Sequence, residues 1–230
     1  MANVVVKEIS CPRCSQTTEA KLYMSINATN EPTLRADVMD ERLFKFRCSA
    51  CGHEARLTYP VLYNDMKNRF MIYLIPEVDR FQLEDVELEQ KYERLKGIRK
   101  RIASDFNSFK EKVFIFESGL DDMAVEITKL VVSEMVAKKY ALPQVEEGYL
   151  SMYDREKNTM GFTFFVGKEH EPYVQSARLE IYGKAVTIVS EMAIKDRKLS
   201  GFIKIDREWA QNVLYRYKRM KKFDHKSQEG

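Results

Sequence analysis

The sequence predicts an α+β fold: a β-rich N-terminal unit, central helices and a C-terminal mixed αβ module. Three observations carry that prediction. Two short cysteine pairs, "CPRC" at 11–14 and "CSAC" at 48–51, sit among segments whose apolar residues alternate. Residues 106–139 instead repeat their apolar residues at helical spacing. From residue 148 onward, alternating stretches and helical stretches succeed one another. Periods of two and of 3.6 mark strand and helix because side chains alternate across a strand and recur every three or four residues around a helix.

"VVVKEIS" reads as a strand running into the first cysteine pair. "SQTTEAKLYMSINAT" follows it as a second, with Ala20, Leu22, Met24 and Ile26 on one face and Glu19, Lys21, Tyr23 and Ser25 on the other. "EPTLRADVMD" is a short helix, with Pro32 at its first position and Leu34 and Val38 four residues apart. "RLFKFR" alternates into the second pair. After it, "HEARLTYPVLY" and "NRFMIYLIPE" flank "NDMK" as a hairpin.

Residues 77–89 then carry a net charge of −5 and residues 94–101 one of +5. Acid first and base last suits a helix dipole, and Glu87 and Lys91 stand at the favourable i,i+4 spacing. The expectation is a solvated connecting helix. Its basic end, Arg94 to Arg101, is a candidate for touching phosphate or an acidic partner. "FNSFKEKVFIFESG" carries a stripe of Phe106, Phe109, Val113 and Phe116 and stops at Gly119. "DDMAVEITKLVVSEMVAKKY" is the clearest helix, with Met123, Ile127, Leu130, Val131 and Met135 as its apolar stripe. Asp121 is its N-cap, Lys138 and Lys139 close it, and Pro143 blocks continuation. Asp122 and Glu126 share a face and are expected to be a solvated part of that helix; no partner for a metal or acid–base role is visible.

In the last third, "GYLSMYDREKNTMGFTFFVG" reads as a hairpin turning near "REKN". "YVQSARLEIYGKAVTIVSEMAIKD" reads as a strand passing into a helix, and "SGFIKID" as a further strand. "REWAQNVLYRYK" follows as a helix capped by Asp206, with Trp209, Val213 and Tyr217 as its core stripe. The closing stretch "RYKRMKKFDHK" carries +5 with aromatic residues interleaved, so Arg216, Lys218, Arg219, Lys221 and Lys222 are candidate nucleic-acid contacts. A frayed basic helix end before a disordered tail is the plainer reading.

The chain has four cysteines, all in the two pairs, spaced Cys-x2-Cys, 33 residues, Cys-x2-Cys. Each pair makes a tight knuckle aiming two sulfurs at one point, and two knuckles complete a tetrahedron. Gly52 suits the positive-φ turn that ends the second knuckle, and Pro12 stiffens the first. Cys11, Cys14, Cys48 and Cys51 are therefore expected to hold one structural Zn2+ in a zinc-ribbon-like unit, a closed all-sulfur site with no position for substrate. His53 is expected to be a neighbour and not a ligand. A thioredoxin-type redox pair would sit at a helix N-terminus, and the alternating residues after Cys14 argue against that here.

The N-terminal stretch resembles the bacterial CpXC domain family. The residues that carry the likeness are "CPRC" at 11–14, "SINAT" at 25–29, "EPTLRADVMDERLFKFRCSACGHE" at 31–54 and "YPVLYNDMKNRFMIYLIPE" at 59–77. "FKEKVFIFESGLDDMAVEITKL" at 109–130 resembles the family's helical continuation, so the likeness covers residues 1–140. The family has two Cys-Pro-x-Cys-type motifs, a helical insert between them and a Tyr-x-Asp segment after. This chain departs in having Ser49 in place of proline in the second motif. The resemblance implies zinc and architecture; the family carries no assigned biochemical activity.

The expected organisation is residues 1–77 as the zinc-ribbon-like unit, 78–142 as a helical region packing on it, 148–220 as the C-terminal αβ module, and 221–230 as a basic tail. A net charge of +3 does not by itself imply nucleic acid. No apolar run is long enough for a membrane span and no signal peptide opens the chain, so a cytoplasmic protein without membrane partners is expected. There is no phosphate-binding glycine loop, nucleophile elbow or zinc-protease helix, and the histidines are scattered at 53, 170 and 225. The leading reading is a non-enzymatic recognition or scaffold module for a protein or nucleic-acid partner. Two alternatives stand beside it: an enzyme with its site in the C-terminal module or an inter-module cleft, and a thiol-based redox or zinc sensor.

Overall fold

The computed structural model describes residues 2–76, 82–83, 97–142, 144–145, 147–166, 171–199 and 201–228. The chain divides into two compact units, Met1–Lys110 and Glu111–Gly230. The content is mixed helix and strand, the α+β fold expected. Most of the acidic stretch 77–89, the Glu87–Lys91 pair, Arg94, Lys96, Pro143 and His170 lie outside the described residues.

The first unit opens with β1 (Asn3–Ser10) and β2 (Thr17–Asn27), an antiparallel ribbon joined by the first knuckle. Helix α1 (Pro32–Met39) starts with proline at its first turn, as the sequence predicts. Glu41 then turns the chain in the left-handed region at φ 59°, and a single 3-10 turn (Arg42–Phe44) leads into β3 (Lys45–Arg47). The second knuckle joins β3 to β4 (Glu54–Arg56) as a small antiparallel pair. The hairpin β5 (Val61–Asp65) and β6 (Phe70–Leu74) follows, its turn at residues 66–69, two residues later than the sequence suggests, because Asn64 and Asp65 still pair with Met71 and Phe70. Asp65 holds that turn: its carboxylate accepts the Asn68 backbone N–H at 3.0 Å, the Asn68 side-chain amide at 2.6 Å and the Thr29 hydroxyl at 3.2 Å.

A two-residue strand, β7 (Gln82–Leu83), precedes β8 (Arg99–Ala103). Here the structure corrects the expectation of a basic helix end. Arg99, Lys100 and Arg101 lie in a strand paired parallel to β6, with Lys100 and Arg101 buried. Ile98, Ile102 and Ala103 are buried as well, and a strand covered on both faces can carry long side chains inward that a solvated helix would point to water.

Within this unit the strands line up as β1, β2, β5, β6, β8, with β2–β5 and β6–β8 parallel and the other two pairings antiparallel. Alternate residues of β5 and β6 are buried: Val61 and Tyr63, then Phe70, Ile72 and Leu74. They meet Ile26, Val38, Phe44, Phe106 and Phe109 in the core, where Phe44 and Phe106 pack edge to face at 4.4 Å and Tyr63 and Phe109 at 5.7 Å. Glu41 ties the region together by accepting from Lys110 at 2.6 Å and Arg56 at 2.8 Å. Burial pushes its carboxyl up, but these two cations outweigh that and hold it below the usual range.

Helix α2 (Phe106–Glu117) carries the boundary between units, and its predicted stripe of Phe106, Phe109, Val113 and Phe116 is buried. Gly119 follows it at φ 71°. Helix α3 (Asp122–Lys139) is capped by Asp121, whose carboxylate accepts the Met123 N–H at 3.0 Å. Its apolar stripe is wider than the sequence suggests: Met123, Ile127 and Leu130 are buried, but so are Val125, Val132 and Val136, while Met135 is exposed. The second unit adds an antiparallel sheet of β9 (Glu147–Asp154), β10 (Thr159–Val166) and β11 (Glu171–Arg178), in the order β11, β10, β9. Strand β11 passes straight into α4 (Leu179–Met192), as expected, then α5 (Ile194–Arg197), β12 (Phe202–Lys204) and α6 (Arg207–Gln228). Asp206 caps α6, accepting the Trp209 N–H at 3.0 Å. Ala210 and Val213 of α6 join Ala185 and Val189 of α4 and Met123, Ile127 and Leu130 of α3 in one core, with Trp209 and Leu214 packed against it.

Candidate metal centre

Each cysteine pair occupies the turn between two antiparallel strands, and the two turns are built alike. In the first, the Cys11 N–H donates to the Gln16 carbonyl at 2.9 Å and the Ser15 N–H returns to the Cys11 carbonyl at 2.8 Å. In the second, Cys48 N–H donates to His53 O at 2.9 Å and Gly52 N–H returns to Cys48 O at 3.0 Å. The residue just past each pair has positive φ: 59° at Ser15 and 70° at Gly52. This geometry turns both sulfurs of a pair to the same side. Gly52 was legible in the sequence for this role. Ser15 was not, because a serine carries no mark of the left-handed region; its equivalence to Gly52 by spacing was the available signal.

The two knuckles bring all four sulfurs together, each within 4.8 Å of every other. Cys11 Sγ lies 3.7 Å from Cys51 Sγ, and Cys14 Sγ 3.7 Å from Cys48 Sγ. A disulfide would hold them at about 2 Å. A tetrahedral ion with metal–sulfur bonds of about 2.3 Å requires sulfur–sulfur edges of about 3.8 Å. The cluster therefore fits a tetrahedral metal ion. Cys11 and Cys48 are buried with Phe46 in a small core edged by Ile9, Ala20, Ala55 and Leu57, while Cys51 is exposed.

Backbone and hydroxyl donors point at the sulfurs. Arg13 N–H approaches Cys11 Sγ at 3.4 Å and the Thr18 hydroxyl approaches Cys48 Sγ at 3.8 Å. Cys48 is drawn down to about 6 by the Cys51 and Ala50 N–H groups and by Thr18. Cys14 receives the Gln16 N–H, which favours its thiolate, yet burial and the other three sulfurs push it up to about 12. One sulfur is readied as a thiolate while its neighbour resists ionising beside it. A cation removes that conflict, and filling the site releases protons.

The four predicted ligands are thus assembled as one site. His53 contributes its backbone carbonyl to the second knuckle and is not among the clustered donors. Neither knuckle opens a helix, so neither has the setting of a thioredoxin-type pair.

Asp122 and Glu126 are placed differently from the solvated face expected of them. Both are buried, with Lys112 Nζ lying 3.4 Å from Asp122 and 3.8 Å from Glu126. Lys129 Nζ bridges Glu126 at 3.0 Å and Glu111 at 2.8 Å, and Glu111 also accepts the Leu150 N–H at 2.6 Å. Lysines of α2 and α3 supply the counter-charge that a carboxylate metal site would need from an ion. Among the described residues the cysteine cluster is the group with metal-ligand geometry. Sequence reasoning missed this network because the lysines come from two helices whose facing register periodicity does not reveal.

Arg216, Lys218, Arg219, Lys221 and Lys222 lie on α6 of the second unit. Among the described residues no helix is long and apolar enough to cross a membrane. No curated protein and no solved structure matches the chain. A family model described as CpXC protein matches residues 9–129, which include all four clustered cysteines and more than half of the sequence. The chain belongs to the CpXC family.

Proposed function

We propose that the protein is a zinc-binding recognition or scaffold module, non-enzymatic, whose zinc is structural. The observation that carries this reading is the four-sulfur cluster, with two edges of 3.7 Å and every sulfur within 4.8 Å of the others. Four thiolates suit zinc or iron among common metals, and a site filled by four protein ligands keeps no open position for chemistry. When bound, zinc cross-links the β1–β2 and β3–β4 ribbons, which the short β3–β4 pair and its few buried residues would hold only weakly. The rigid knuckles then present a surface to a protein or nucleic-acid partner.

Native mass spectrometry of the purified protein, with an absorption spectrum, tests the reading. One zinc in a colourless protein supports it; iron or no metal overturns it. Cys48→Ser is expected to abolish stoichiometric zinc and to unfold most of the first unit, since a structural zinc contributes on the order of 10 kcal/mol or more of apparent binding energy. Full zinc retention in that variant would refute the four-cysteine site. The exposure of Cys51 favours a second reading, a thiol-based zinc or redox sensor. That reading expects zinc release under mild oxidant, with disulfides within the cluster. Thiols that resist oxidant while zinc stays bound would sink it.

A further inference from the structure

Helix α6 carries no acidic residue from Trp209 to Phe223, and five of its residues from 216 to 222 are basic. The structure sorts these residues by face. Trp209, Ala210, Val213 and Leu214 turn into the core of the second unit, which fixes the rotation of the helix. Arg216 and Lys221 flank that buried stripe and reach acidic neighbours, Asp196 at 3.9 Å and Glu191 at 3.7 Å. Tyr215, Lys218, Arg219 and Lys222 stand at i, i+3, i+4 and i+7, the spacing of one continuous stripe, opposite the core. All four are exposed, Tyr215 at 61%. Among the described residues none of the three cations in that stripe has an acidic partner. Arg219 lies 5.7 Å from the Tyr215 ring centroid, stacked over its face.

We propose that this stripe binds single-stranded nucleic acid, with Lys218, Arg219 and Lys222 on the phosphate backbone and Tyr215 as a stacking platform for a base. The inference deepens the recognition-module reading and rests on it for a biological role. Charge complementarity selects the partner. Trp209, Ala210, Val213 and Leu214 of α6 are already packed into protein, and the stripe opposite them is cationic with one exposed ring, not the apolar face that insertion among lipid chains requires. A ring that stacks on a base has a use on a single strand, where bases are unstacked, and none on a duplex backbone.

Fluorescence anisotropy of a labelled oligouridylate against the full-length, metal-loaded protein, over a salt series, tests this. Affinity should fall with salt with a log–log slope near about −2, three cations at roughly 0.7 each. The variant Lys218→Gln/Arg219→Gln/Lys222→Gln should lose tenfold or more in affinity and most of that slope. Tyr215→Ala should weaken binding about tenfold while leaving the slope unchanged. The substituted positions are exposed, so circular dichroism and melting temperature should match the parent. No binding by the parent at low salt overturns the proposal, as does binding that the triple variant leaves intact. So does binding to phosphatidylserine vesicles without binding to the oligonucleotide. Zinc measured on the same sample separates the two readings: a zinc-loaded protein that ignores the oligonucleotide sinks this proposal alone, and a zinc-free one sinks the zinc reading whatever it binds.

Discussion

Ser15 and Gly52 do the same work at different cost. Both end a knuckle with positive φ, and only glycine reaches that region without crowding its Cβ against the backbone. A Cβ added at Gly52 would meet nothing within 4 Å, so its substitution tests backbone conformation alone. Gly52→Ala should cost about 1 kcal/mol, and Ser15→Gly should stabilise by up to about 1 kcal/mol, read by equilibrium denaturation of the metal-loaded protein. Equal effects of the same sign at both positions would refute the equivalence of the knuckles. The four clustered cysteines themselves were legible from spacing alone, because two residues between cysteines suit a knuckle. The strained serine was not, because strain belongs to the fold and not to the residue type.

At the scale of the element, α2 and α3 bury charge between them. Glu126 faces Lys129 on its own helix and Lys112 and Glu111 on α2. Burial pushes its carboxyl above the usual range, Lys129 and Lys112 pull it down, and Glu111 adds to the rise; burial prevails. A carboxyl whose folded value exceeds its unfolded value contributes stability below the unfolded value, and that contribution is lost as pH rises through the folded one. Glutamine stays neutral at every pH. The stability of the parent relative to Glu126→Gln should therefore decline as pH rises above the ordinary carboxylate range. Paired thermal melts across that range measure it, and a constant difference would contradict it. Most elements were legible from period and caps: β2, the β5–β6 hairpin, α3 with Asp121 and α6 with Asp206 all stand where alternation, stripe or cap residue placed them. Arg99–Arg101 were misread because charge run in sequence implies water, whereas parallel pairing with β6 buries two of the three.

At the scale of the molecule, the division at Lys110 and Glu111 places the cysteine cluster in one unit and the basic helix in the other. A metal bound at the cluster would stabilise the unit that holds it, since binding energy for a site absent from the unfolded chain is folding energy. Chelation under reducing conditions should speed amide exchange across β1 to β6 and leave α3 and α4 protected, as read by hydrogen-exchange mass spectrometry. Uniform loss of protection over both units would show instead that they unfold as one.

The amino-acid sequence by itself determined the four cysteines that cluster, the α+β class and most helix and strand positions. Each of those rests on local facts: the spacing of two sulfurs, a period of two or 3.6, a cap next to its helix. Only the tertiary structure decided the surroundings of the charged residues. It buried Lys100, Arg101, Glu111, Lys112, Asp122 and Glu126, and it left Lys218, Arg219 and Lys222 outward on a helix whose other face is core. Whether a charge meets water or a counter-charge depends on residues distant in the chain, and no local pattern carries that information.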